Sequence, residues 1–200
     1  MAGIPICYPF VPREVEGRHS YLVHLDDDGG LRVLHLRVWR GRSGLGGMTD
    51  RFRTSPGFAM WAKAMALVDA GIATPRPLAA AERRLGNLEW SCFASEQLDA
   101  AIGLEQVLQQ VAGWGEARQM KFVRTLAGEL RKLKSRKLGM HELSPSSFLV
   151  RGVPDFEFDL FVCEPEATTI GGELSTAQME SRILFGLPDK VVKAFFVALG

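Results

Sequence analysis

The chain has 200 residues, of which 46% are apolar and 24% charged, with a formal net charge of +1. That length suits one domain or two small lobes sharing a cleft, with enough apolar material for a packed core. The near-neutral total excludes a global drive toward nucleic acid or an anionic membrane, and three widely spaced cysteines, Cys7, Cys92 and Cys163, exclude a disulfide framework or a Cys-x-x-Cys metal site.

Pro5, Pro9 and Pro12 leave the first 19 residues without a periodic signal, and no basic region followed by a long apolar stretch marks a signal peptide. Ser20 to Leu25 and Leu31 to Trp39 alternate as two strands, joined by hairpin-turn chemistry at Asp26-Asp27-Asp28-Gly29-Gly30. No further acid follows at calcium-loop spacing, so the three aspartates read as a solvated turn. Arg32, Arg37, Arg40, Arg42, Arg51 and Arg53 cluster here with only Asp50 among them. Such a run reads as solvated surface or, more sharply, as a cradle for a phosphorylated ligand. Gly41 to Gly47 lacks the Gly-Lys-Ser/Thr ending of a phosphate loop and reads as a flexible connection.

Ser55-Pro56 predicts a helix start, with Ser55 accepting from an orphan N–H and Pro56 at the first helical position. Phe58, Trp61, Met65 and Val68 fall on one face as its expected core side, and Gly71 ends it. Ile72 to Ala79 is extended and leads into a strand. Leu88 to Ala94 reads as another strand, after a turn at Arg84-Leu85-Gly86-Asn87. Gln97 to Ala101 reads as a crossover linker, which divides the chain into 1–96 and 97–200.

Leu104 to Val111 predicts a short helix and Glu116 to Lys137 a long one. The long helix turns Phe122, Leu126, Leu130 and Leu133 inward and Arg118, Lys121, Arg124, Arg131, Lys132 and Lys134 outward. After the segment 138–150 come short strands at Phe148 to Val150 and Phe156 to Val162, joined around Gly152-Val153-Pro154. Two helices close the chain, one after Ser175 and one from Pro188 that buries Val191, Val192, Phe195 and Phe196. This last apolar run is too short to span a bilayer and Lys193 breaks it. His19, His24, His35 and His141 show no zinc-ligand spacing.

The run His141-Glu142-Leu143-Ser144-Pro145-Ser146-Ser147-Phe148-Leu149-Val150 resembles, without a gap, the catalytic loop "H-x-D-L-x-P-x-N-F-L-V" of kinase-like phosphotransferases. Two further segments are similar to patterns of the bacterial lipopolysaccharide core kinases, the Kdo/heptose kinase group. One runs from Asp50 through Ser55 and Trp61 to Gly71-Ile72-Ala73-Thr74-Pro75-Arg76-Pro77-Leu78; the other is Phe158-Asp159-Leu160. The resemblance implies an α+β, protein-kinase-like two-lobed fold. Its N-lobe (1–96) is small and β-rich with one helix, and its C-lobe (97–200) is reduced and mainly helical. Members of that family transfer phosphate from ATP to a sugar hydroxyl of the lipopolysaccharide inner core.

Carried over by position, Glu142 stands at the general base, Asp159 at a Mg²⁺ ligand and Ser147 at the second metal ligand. Arg37 falls at the phosphate-pairing lysine and Met60 at its partner acid. Ser95 to Leu98 border the adenine, and Asp159 and Glu142 converge in a cleft. Four of these positions depart from the family pattern. Glu142 lengthens the carboxylate arm by one methylene, which matters where a shift of about 1 Å costs roughly a hundredfold. Ser147 offers a hydroxyl where a carbonyl oxygen is expected, Arg37 keeps the charge of lysine but not its shape, and Met60 cannot form an ion pair. The expectation is therefore a divergent or pseudokinase member that binds nucleotide weakly or holds a partner. The alternative is an active ATP- and Mg²⁺-dependent phosphotransferase acting on an inner-core sugar. If transfer is lost, the protein need not use either cofactor. The implied partners are a lipopolysaccharide core sugar or a protein, not nucleic acid. The implied place is the cytoplasm, with peripheral contact at the inner face of the inner membrane.

Overall fold

The computed structural model describes residues 6–9, 18–27, 30–41, 53–141, 143–153 and 157–200. Glu142, the centre of the Asp26–Gly30 turn, and most of the Gly41–Gly47 loop lie outside the described residues. The chain forms two compact units. The first takes in residues up to Met65 together with Pro75–Gln97; the second takes in Ala66–Thr74 and Leu98–Gly200.

The first unit is built on an antiparallel sheet of five strands, β1 (Ile6–Pro9), β2 (Arg18–Asp27), β3 (Gly30–Arg40), β4 (Pro77–Leu85) and β5 (Asn87–Glu96), in the order β1-β2-β3-β5-β4. Strands β2 and β3 form a continuous hairpin from Arg18↔Trp39 to Asp27↔Gly30. Helix α1 (Pro56–Asp69) lies over the β3–β5 face and closes a small core of Met60, Ala64 and Phe93 against Trp39 and Trp61.

The buried face of α1 differs from the one the large side chains predict. Phe58 and Val68 are exposed, whereas Gly57, Met60, Ala64 and Leu67 are buried. Close approach explains it. A Cβ on Gly57 would lie 2.4 Å from the Cys92 carbonyl oxygen, so the first turn presses on β5 through the missing side chain. At this distance the Gly57 N–H reaches the Ser91 hydroxyl at 3.2 Å. That hydroxyl, rather than the expected Ser55, receives an N–H of the first turn.

The second unit adds β6 (Ala101–Gly103), α2 (Leu104–Val111), α3 (Glu116–Ser135), β7 (Leu138–Met140), β8 (Phe148–Val153), β9 (Glu157–Val162) and β10 (Thr168–Ile170). It ends with a short helix α4 (Thr176–Gln178), continued by a π-helical turn Met179–Ile183, and with α5 (Asp189–Leu199). Strands β6-β8-β9 form one sheet and β10-β7 another. Helix α3 is central: Phe122, Val123, Leu126, Ala127 and Leu130 are fully buried, packed in one cluster with Val191 and Phe195 of α5 and with Phe148, Val150 and Val162 of the sheet. Phe122 stacks on Phe158 at 5.5 Å and meets the edge of Trp114 at 5.9 Å. Each such aromatic or leucine, fully buried, contributes about 1.5–3 kcal/mol, so α3 is the post on which the neighbouring loops are hung. Among the described residues no helix is long and apolar enough to cross a membrane.

Candidate functional site

The segment after α3 is fixed from both sides. Lys137 adopts a positive φ of 54° and turns the chain out of the helix. Strand β7 then pairs with β10, Met140 opposite Thr168, and the His141 N–H donates to the Ala167 carbonyl at 3.1 Å. From α4, the Gln178 side-chain amide holds the backbone of both His141 and Leu143. Its Oε1 accepts the Leu143 N–H at 3.1 Å, and its Nε2 donates to the His141 carbonyl at 3.5 Å. Leu143 is fully buried and anchors the next turn. Ser144 caps that turn by accepting the Ser146 N–H, and Pro145 supplies its first residue. The hydroxyls of Ser144 and Ser146 meet at 2.8 Å, and the Ser147 N–H closes the turn on the Ser144 carbonyl at 3.0 Å.

Ser147 is 1% exposed, and its hydroxyl donates to Glu164 Oε2 at 3.0 Å. Hairpin register brings the two together. Strand β8 begins at the next residue, with Phe148 opposite Val162, so the chain leaving β9 runs past Ser147. The Cys163 N–H donates to the Ser147 carbonyl at 2.9 Å, and the Cys163 thiol points to the Ser146 carbonyl at 3.4 Å. Asp159 lies elsewhere. It sits in mid-β9 opposite Arg151, four residues or about 13 Å of strand before Cys163, with its side chain 63% exposed. Its carboxylate is 3.6 Å from Arg151 Nη2. It lines an open polar groove of about 580 Å³ with Glu129 and Lys132 of α3. The acid brought to Ser147 is thus Glu164, which sequence reasoning missed. The signal was a count: in an even hairpin Phe148 and Val162 are mirror positions, so Ser147 mirrors Cys163, and Glu164 is next.

A carboxylate and a hydroxyl side by side are hard oxygen donors. Mg²⁺ is commonly held by one or two carboxylates plus water and substrate phosphate, so the pair fits such an ion in kind. Among the described residues no three His, Cys, Asp or Glu side chains gather as a metal cluster. Beside this loop, Leu108, Ser144, Pro145, Arg182, Ile183 and Phe185 line an open pocket of about 530 Å³, with the Phe185 ring 84% exposed at its rim.

Of the other predicted residues, Arg37 and Ser95 lie in the first unit and Leu98 in the second. Arg37 lies on β3 and is only 8% exposed, so it is not the solvated side chain that its cluster suggests. Its Nη1 is 3.9 Å from Met60 Sδ, which is a weak acceptor and no counter-ion. His35 lies two residues back on the same face. Burial, with the charges of Arg37 and Arg18 adding to it, pushes its pKa from the usual 6.5 down to about 4. Ser95, on β5 directly opposite His35 of β3, is buried, and Leu98 follows β5 half-buried.

Comparison with known proteins agrees with this architecture. The sequence model described as the lipopolysaccharide kinase (Kdo/WaaP) family matches residues 48–161. The solved structure of WaaP in complex with acyl carrier protein is similar at a TM-score of 0.61 and 19% identity, over 96% of this chain and 78% of that one. At that identity the likeness is one of fold, and 915 solved chains share it significantly, so it does not by itself specify an activity. No curated protein sequence matches significantly. The fold is α+β and kinase-like, and the chain belongs to the lipopolysaccharide kinase (Kdo/WaaP) family.

Proposed function

We propose that this chain is a divergent lipopolysaccharide kinase relative that binds Mg²⁺–ATP weakly and transfers phosphate slowly or not at all. The observation that carries the reading is the side chain at position 60, a thioether where the resemblance puts an acid, 3.9 Å from Arg37 Nη1. Kinase chemistry depends on positioning and charge neutralisation more than on covalent steps. The resemblance puts a carboxylate at this helix position to orient the phosphate-pairing cation, and Met60, which carries no charge, cannot take that role. Glu142 in place of the expected aspartate, and Ser147 in place of asparagine, add to the same reading. When bound, Mg²⁺ would neutralise phosphate charge; Ser147 and Glu164 are the residues we assign to hold it. Arg37 would pair with phosphate, and Ser95 and Leu98 would border the base. For a protein partner, acyl carrier protein is the first candidate, since WaaP has been solved with it.

A second reading, active transfer to an inner-core sugar hydroxyl with Glu142 as base, draws support from the Ser147–Glu164 pair, which retains oxygen donors suited to the metal. Thermal shift with ATP, with and without Mg²⁺, and incubation with labelled ATP and inner-core acceptors separate the two. The first reading expects a small Mg²⁺-dependent shift and little or no labelled sugar. Robust turnover establishes the second, and no shift at any ATP concentration removes both.

A further inference from the structure

Helix α1 ends in a way that aims the residues after it. Gly71 turns to a positive φ of 65°, and its N–H donates to the Val68 carbonyl at 2.8 Å. The Ile72 N–H reaches back to the Leu67 carbonyl, also at 2.8 Å. This paired closure favours glycine at the left-handed residue and an apolar residue after it. Ile72 accordingly joins Leu67 in the larger core cluster. Arg136, just past α3, adds a cap, its Nη1 donating to the Ala70 carbonyl. Ala66–Thr74 therefore pack with the second unit, although Pro75 onward belongs to the first. Pro75 holds Thr74 out of the helical region, so Ala73 and Thr74 run extended to the end of β9.

There they meet Val162, the last residue of β9, which is fully buried. The Val162 N–H donates to the Ala73 carbonyl at 2.9 Å, and Thr74 Oγ1 donates to the Val162 carbonyl at 2.7 Å. The next N–H, that of Cys163, donates to the Ser147 carbonyl at 2.9 Å. The Val162 carbonyl and the Cys163 N–H belong to one planar peptide unit. Thr74 and Ser147 thus grip the same plane by its two ends, and one residue further on Glu164 meets the Ser147 hydroxyl at 3.0 Å. We propose that Thr74 is a positioning residue for Glu164: by fixing the plane of the 162–163 peptide, its hydroxyl sets where the carboxylate emerges beside Ser147. That the carboxylate so placed serves a metal rests on the proposed function.

The test is amide hydrogen exchange of the full chain, followed residue by residue by NMR without nucleotide or metal. Wild type is compared with Thr74→Val, which keeps the shape and loses the donor, and with Thr74→Ser, which keeps the donor. In Thr74→Val the Cys163 N–H should exchange about tenfold faster, the Val162 carbonyl having lost its partner. Thr74→Ser should restore the rate, and the Leu126 N–H of α3 should keep its rate in both variants. A Cys163 rate unchanged in Thr74→Val, equal acceleration at Leu126, or no rescue by serine would each overturn the proposal. Should Thr74→Val misfold, the wild type decides: the Val162 and Cys163 N–H groups should be released together, with protection agreeing within about threefold. Protection of Cys163 about tenfold or more beyond Val162 would mean that the Ser147 corner stays closed when Thr74 lets go, which also overturns it. Adding Mg²⁺ and ATP separates this inference from the reading it deepens. Faster exchange in Thr74→Val with no Mg²⁺-dependent slowing in the wild type supports Thr74 and removes the metal role of Glu164. Mg²⁺-dependent slowing with an unaffected Thr74→Val keeps the metal role and removes Thr74.

Discussion

At the scale of single residues, the site turns on which acid keeps company with Ser147. A buried hydroxyl needs a partner, and Glu164 supplies it at 3.0 Å, whereas the Asp159 carboxylate faces solvent beside Arg151. If the Ser147–Glu164 pair is the metal-binding element, Glu164→Gln should weaken Mg²⁺-dependent ATP stabilisation by about tenfold or more, one carboxylate charge being lost at the ion. Asp159→Asn should leave that stabilisation within twofold. Thermal-shift titration of both variants with ATP and Mg²⁺ makes the comparison. An effect confined to Asp159→Asn would return the metal role to the acid of the Phe-Asp-Leu triplet and would leave Glu164 as a hydrogen-bond acceptor only.

At the scale of elements, the contact between α1 and β5 is set by a residue with no side chain. An alanine at Gly57 would drive its Cβ into the Cys92 carbonyl, and backbone cannot swing aside as a side-chain end would. Gly57→Ala is therefore expected to cost roughly 1–3 kcal/mol, the usual range for overpacking. Phe58→Ala, on the exposed side, should cost under about 0.5 kcal/mol. Urea unfolding of the two variants measures both, and the reverse order would put the wrong face of α1 against the sheet. The example also shows what can be read from residues in a row. Alternation located β2, β3 and β5, and helical spacing located α1, α2, α3 and α5, because both report which side of an element avoids water. The inward face of α1 was not legible, since large apolar residues weigh most in such a reading while close packing here selects Gly57 and Ala64. The partner of Ser147 was not legible either, because it depends on a hairpin register that a local triplet such as Phe158-Asp159-Leu160 does not encode. The kinase-like loop itself was legible in its wording, since Ser-Pro-Ser-Ser writes its own cap and turn.

At the scale of the whole molecule, the two units rest on very unequal cores. Among the described residues the larger apolar cluster holds 26 buried side chains, whereas the first unit's cluster of Met60, Ala64 and Phe93 holds 3. The first unit also contains the half-buried His35, whose pKa is pushed from 6.5 to about 4. In the unfolded chain that imidazole takes a proton near its ordinary value, so between these two pH values the unfolded state binds more protons. The stability tied to neutral His35 is thus present above about pH 6.5 and is lost as pH falls toward 4. From pH 7 to pH 5 the loss amounts to about 2 kcal/mol, and it falls on the unit with less to lose. The chain carries its own reporters for this. Trp39, Trp61 and Trp90 lie in the first unit and Trp114 in the second, while α2, α3 and α5 put most of the helical signal in the second. Acidification should therefore move the fluorescence-detected unfolding midpoint to lower denaturant than the midpoint from far-ultraviolet circular dichroism, a departure from two-state behaviour. His35→Gln, which cannot titrate, should shrink the pH dependence of the fluorescence transition and leave the dichroism transition nearly where it was. Coincident transitions at both pH values, or an unchanged acid shift in the variant, would mean that the two units unfold as one and that His35 does not set the acid limit.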